Sequence, residues 1–162
     1  MNKYTIGFVL VVLTIAGVVL GTSKDKKMVV ETTLIPSPAM TDAMMKKDSA
    51  PLLDFTKADY DAALQTDKLI VLYFYANWCP ICKAEFPMMQ SAFSKLTNGH
   101  VIGFRVNYND DQTDVDEKNL AREFGIAYQH TKVFIKNGQR ILKSPEGWDE
   151  ARYVTEINSH DK

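Results

Sequence analysis

The stretch Leu69-Ile70-Val71-Leu72-Tyr73-Phe74-Tyr75, running through Ala76-Asn77 into Trp78-Cys79-Pro80-Ile81-Cys82-Lys83, decides how the chain folds. The apolar run suits a strand covered on both faces, at the centre of a sheet. Directly after the cysteines, Ala84-Glu85-Phe86-Pro87-Met88-Met89 opens a helical pattern. A strand that delivers a C-x-x-C to the start of a helix is a redox arrangement. The N-terminus of a helix carries unpaired N–H groups and a partial positive charge, which favour a thiolate. The thiolate is the attacking species in disulfide exchange, so position and chemistry agree.

Outward from the motif the pattern stays regular. Leu52–Phe55 reads as a short strand, and Thr56-x-x-Asp59 as a capping box before a helix with Tyr60, Ala63 and Leu64 on one face. The helix after the motif is expected from Cys79 to about Leu96, with Phe86, Met89, Phe93 and Leu96 inward and Pro87 kinking it. His100–Asn107 is a third apolar strand, and residues 109–116 form a polar, acidic loop. A further helix turns Leu120, Ala121 and Phe124 inward and ends at Gly125. Asn137-Gly138 between Thr131–Lys136 and Gln139–Lys143 is the strongest short hairpin signal. A last helix, Asp149 to about Ser159, places Tyr153, Val154 and Ile157 on one face. The order β-α-β-α-β-α-β-β-α predicts an α/β fold with a central mixed sheet flanked by helices.

The amino-terminal part reads differently. Tyr4–Gly21 carries no charge over about 18 residues, near the lower limit for a membrane-spanning helix. It is either an uncleaved signal anchor or a signal peptide cut near Val19-Leu20-Gly21; a poor A-x-A site and a long apolar run favour the anchor. Positive charge flanks both ends, but a very short tail with Lys3 is the usual form of an export signal. The domain is therefore expected outside the cytoplasm, anchored by one helix, or secreted if the segment is cut. Absence of a cysteine after the run excludes a lipoprotein. The division is 1–23 anchor, 24–50 linker and 51–162 folded domain. The linker holds Pro36 and Pro38, and also Met28, Met40, Met44 and Met45, whose thioethers offer a second reading as copper ligands.

Composition narrows the chemistry. A formal net charge of -1, without a basic face, gives nucleic-acid binding no electrostatic support. Both of the chain's 2 cysteines lie in the motif, so there is no separate structural disulfide and no second C-x-x-C for a zinc ribbon.

With these residues in place, residues from about Leu52 onward resemble the thioredoxin family. Trp78 precedes the first cysteine, Lys83 follows the second, and Pro87 sits where that family has its kink. Phe124-Gly125-Ile126 and Lys136-Asn137-Gly138 match family patterns as well. The resemblance implies that Cys79 is an exposed attacking thiol and Cys82 the resolving thiol. It implies protein thiols or disulfides as substrates, no cofactor beyond the Cys79–Cys82 disulfide, and a redox partner in the membrane. The residues agree: Cys79 starts the helix, Cys82 follows one turn later, and Pro80 suits an early helical position because it has no N–H to leave unpaired.

Two positions depart from the family. Tyr73 stands where a buried aspartate usually assists proton transfer to the resolving thiol, and reads as a packing residue. His130, in Gln129-His130-Thr131, stands where a cis-proline usually faces the disulfide. A cis bond before a non-proline costs about 2.5–4 kcal/mol, so this bond is expected trans, or the loop strained. Three readings of His130 stay open: a solvent-facing or backbone-bonded loop residue; a third ligand with Cys79 and Cys82 for zinc or copper; or a protonated cation beside Cys79. The leading function is a membrane-tethered thiol–disulfide oxidoreductase. The alternative is a metal-binding protein using Cys79, Cys82 and His130.

Overall fold

Strand β2 (Leu69–Tyr75) lies at the centre of a five-stranded sheet, as its apolar run requires. The computed structural model describes residues 49–97 and 99–162. The expected anchor, and the linker with its four methionines up to Asp48, lie outside them. Among the described residues no helix is long and apolar enough to cross a membrane.

The strand order is β1-β3-β2-β4-β5. Strands β1 (Leu52–Asp54) and β3 (Val101–Asn107) run parallel to β2 on one side. On the other side β4 (Thr131–Lys136) and β5 (Gln139–Ser144) form an antiparallel hairpin. Asn137 and Gly138 carry φ of 52° and 70°, the two left-handed residues that the hairpin turn demands.

Helices cover both faces. Helices α1 (Lys57–Leu64) and α3 (Val115–Glu123) pack on the face that carries Ile70, Leu72 and Phe74. Helices α2 (Pro80–Lys95) and α4 (Glu150–His160) pack on the face that carries Leu69, Val71 and Tyr73. The alternation along one strand thus feeds two cores. Three N-caps fix where helices begin: Thr56 accepts the Asp59 N–H at 3.1 Å, Asp114 that of Glu117 at 2.8 Å, and Asp149 that of Arg152 at 2.8 Å. The Asp114–Glu117 capping box starts α3 at Val115, so the acidic loop is shorter than the sequence reading of residues 109–116.

One glycine is required by packing. A Cβ on Gly103 would lie 2.6 Å from Phe93 Cζ and 2.7 Å from Leu52 Cδ1. Phe93 is buried between sheet and helix and has little room to yield. Gly103→Ala is expected to lower stability by about 1–3 kcal/mol in chemical denaturation.

Candidate active site

The C-terminal end of β2 hands the chain through Ala76–Trp78 to Cys79, which is the N-cap of α2 with extended backbone (φ −80°, ψ 117°). Its sulfur accepts the Cys82 N–H at 3.2 Å, in the place of a capping oxygen. Pro80 occupies the first helical turn, as expected. Both thiols are free. Cys79 and Cys82 are thus one turn apart on one helix end.

Exposure corrects the sequence reading. Cys79 was expected at the open end of the helix, yet it is 1% exposed, and Cys82 is buried as well. The helix end faces the loop before β4 rather than open solvent, and a ring nitrogen of His130 and both sulfurs lie within 4.8 Å of one another. Around this closed mouth, Trp78 is 51% exposed and donates from Nε1 to the Asn109 carbonyl at 3.0 Å. Pro80, Ile81 and Lys83 are exposed at the rim.

The loop with His130 is trans: no peptide bond among the described residues is cis. The backbone is strained there although the bond is trans, since His130 has φ 54°, a region that costs a residue with a Cβ roughly 1–2 kcal/mol. Two hydrogen bonds hold it there. The His130 N–H donates to the Phe74 carbonyl at 2.6 Å, and its carbonyl accepts from Lys132 Nζ at 2.9 Å. Thr131 is buried beside it and donates from Oγ1 to the Tyr128 carbonyl at 2.7 Å. Burial, then the nearby Lys132 ammonium, lower the His130 pKa, against opposing effects of Glu85 and the Pro145 carbonyl. The larger influences thus favour the neutral imidazole.

Below the cysteines lies a polar cluster that the sequence reading did not single out. Glu85 is 4% exposed, and Lys132 is fully buried. Glu85 Oε1 accepts from Lys132 Nζ at 2.7 Å, Tyr153 O–H at 2.7 Å and Trp148 N–H at 3.0 Å. Its Oε2 accepts from Tyr73 O–H at 3.3 Å. Lys132 completes its set of donors on the carbonyls of His130 and Glu146. Tyr73 and Lys132 face each other across the β2–β4 ladder. Burial first, then the hydrogen bond with Cys79, pushes the Cys82 thiol up to about 11. Burial, then Glu85, raises Tyr73 and Tyr153 above the ordinary tyrosine range.

A sulfur at a helix N-terminus, with a second thiol one turn on, can take one half of a foreign disulfide and then release it. Comparison with known proteins fits that chemistry. A family model described as Thioredoxin matches residues 51–159. Thioredoxin H4 of Arabidopsis thaliana is 35% identical over 91 residues, covering 56% of this chain and 70% of that protein. The thioredoxin of Malassezia sympodialis is 36% identical over 95 residues, covering 58% of this chain and 83% of that one. Its solved structure superposes with a TM-score of 0.55 at 27% identity, over 70% of this chain and 95% of that chain. These similarities lend the metal-binding alternative no support. The chain belongs to the thioredoxin family and is a thiol–disulfide oxidoreductase.

Proposed function

We propose that this chain exchanges disulfides with protein substrates, Cys79 attacking and Cys82 resolving, while residues 4–21 hold it to a membrane on the extracytoplasmic side. The observation that carries the division of labour is the Cys82 N–H directed at Cys79 Sγ at 3.2 Å. It places a donor on the sulfur of Cys79, which favours its thiolate for attack on a substrate disulfide, and sets Cys82 one turn away to displace the substrate sulfur afterwards. Protein-sized substrates are favoured by the surface beside the motif, where the large apolar side chains of Trp78, Ile81 and Met88 are exposed. A redox partner in the same membrane then restores the pair to its working state.

The test uses the full chain with insulin as substrate and a small dithiol as reductant. Wild type should precipitate insulin well ahead of the dithiol alone, whereas Cys79→Ser should give no acceleration. Equal rates for wild type and Cys79→Ser would remove the proposal. Deleting residues 4–21 should move the protein from the membrane to the soluble fraction without loss of insulin reduction. Retention in the membrane would refute the tether.

A further inference from the structure

Thiol–disulfide exchange needs the two sulfurs, yet a third metal-ligating side chain meets them here. Among the described residues, Cys79, Cys82 and His130 form one group whose sulfurs and ring nitrogen all lie within 4.8 Å of one another. Ligands of a single three-coordinate ion, with bonds of about 2.0–2.3 Å, stand about 4 Å apart, so side-chain shifts of roughly 1 Å or less close the set. Both thiols are free to ligate. His130 Nδ1 is buried and has no hydrogen-bond partner, a costly state for a polar atom. The backbone keeps the imidazole in place at φ 54°, through the His130 N–H on the Phe74 carbonyl and Lys132 Nζ on the His130 carbonyl. A strained residue held beside two thiols points to a functional constraint, and disulfide exchange assigns the imidazole no step.

We propose that the reduced chain binds one cuprous ion through Cys79 Sγ, Cys82 Sγ and a ring nitrogen of His130. The proposal does not depend on which cysteine attacks a substrate disulfide. Thiolate sulfur and imidazole nitrogen are the donors that Cu⁺ prefers. Zn²⁺ on three protein ligands takes water as its fourth. Here Cys79 is 1% exposed and Cys82 is fully buried, which suits an ion content with three ligands. Glu85, the nearest buried carboxylate on α2, is already engaged by Lys132, Tyr153 and the Trp148 N–H.

On binding, each thiol that still carries a proton releases it to water, and no electron moves. Two thiolates, a neutral imidazole and Cu⁺ together carry a single negative charge. It sits at the N-terminus of α2, where the Cys82 N–H already points at Cys79 Sγ at 3.2 Å. Metal binding and disulfide formation use the same sulfurs and exclude each other. The ion therefore holds the pair reduced and stops exchange until it is withdrawn.

The experiment titrates the full, reduced chain, without oxygen, into a coloured cuprous chelate such as the bicinchoninate complex. Wild type should withdraw one Cu⁺ per chain, and the oxidised chain none. His130→Asn removes the imidazole but keeps a residue that tolerates positive φ, and should weaken binding about a hundredfold or more. X-ray absorption of the wild-type complex should show two sulfurs and one nitrogen on copper, a result that needs no variant to fold. A wild type that leaves the chelate intact overturns the proposal. So does His130→Asn binding as tightly as wild type, or a spectrum with sulfur ligands alone. Copper held equally by Cys82→Ser would belong to the linker methionines Met28, Met40, Met44 and Met45, and overturns it too. Zn²⁺ retained in preference to Cu⁺ overturns the choice of ion. None of these failures touches insulin reduction by Cys79, which is measured without copper.

Discussion

Lys132→Met in the full chain is expected to lose about 3–5 kcal/mol of stability in denaturant unfolding. The Nζ of Lys132 donates to Glu85, to the His130 carbonyl and to the Glu146 carbonyl, so its three N–H bonds are all used. Its charge also lies 4.9 Å over the Trp148 ring. Methionine fills similar space but leaves the Glu85 carboxylate without a counter-ion and two carbonyls without their donor. An uncompensated charge in a site closed to water is among the costliest single changes. The double variant Lys132→Met with Glu85→Gln removes both charges, and should cost clearly less than the two single losses added together. A single variant within about 1 kcal/mol of wild type would show that the pair does not hold α2 to the sheet.

Cys82→Ser should turn catalysis into capture. With the resolving sulfur gone, Cys79 still attacks, but the product bond has no neighbour to break it. Intramolecular attack by a group held one turn away normally outcompetes any external thiol, with effective molarities on the order of 10⁵ M or more. A non-reducing gel should therefore show a covalent adduct on Cys82→Ser with each substrate, and none on wild type or on the double cysteine variant. Adducts on Cys79→Ser in place of Cys82→Ser would reverse the two roles.

Much of this architecture is legible in the sequence, because its signals are local. The apolar run Leu69–Tyr75 became the central strand with the same bounds, and Asn137-Gly138 turned the hairpin that its positive φ values allow. The missing loop proline at His130 pointed to a trans bond or a strained loop, and the loop is trans and carries a positive φ as well. What escaped is non-local. The inward face of α2 was read as Phe86, Met89, Phe93 and Leu96; the last three are buried and Phe86 half-buried, but the helix also buries Cys82, Glu85 and Ala92. An apolar pattern skips Glu85 because a carboxylate enters a core only with partners. Those partners, Lys132 and Tyr153, lie 47 and 68 residues further along the chain. One signal was available: in Thr131-Lys132-Val133-Phe134, alternation puts Lys132 on the same face as buried Phe134. Tyr73 was read as packing alone, since its hydroxyl partner, Glu85, comes from helix α2 and not from its own strand. The burial of Cys79 also depends on a loop some fifty residues away, which capping rules do not describe.

That burial has a chemical outcome of its own. A nucleophile that meets solvent only while its walls part reacts with small oxidants at a rate scaled down by the open fraction. Sulfinic and sulfonic acids, the irreversible rungs of cysteine oxidation, need repeated encounters with peroxide at one sulfur. A closed mouth makes those encounters scarce, and a second thiol one turn away converts the first oxidised product into a reducible bond. The same enclosure that slows stray reagents favours a partner large enough to press the entrance open.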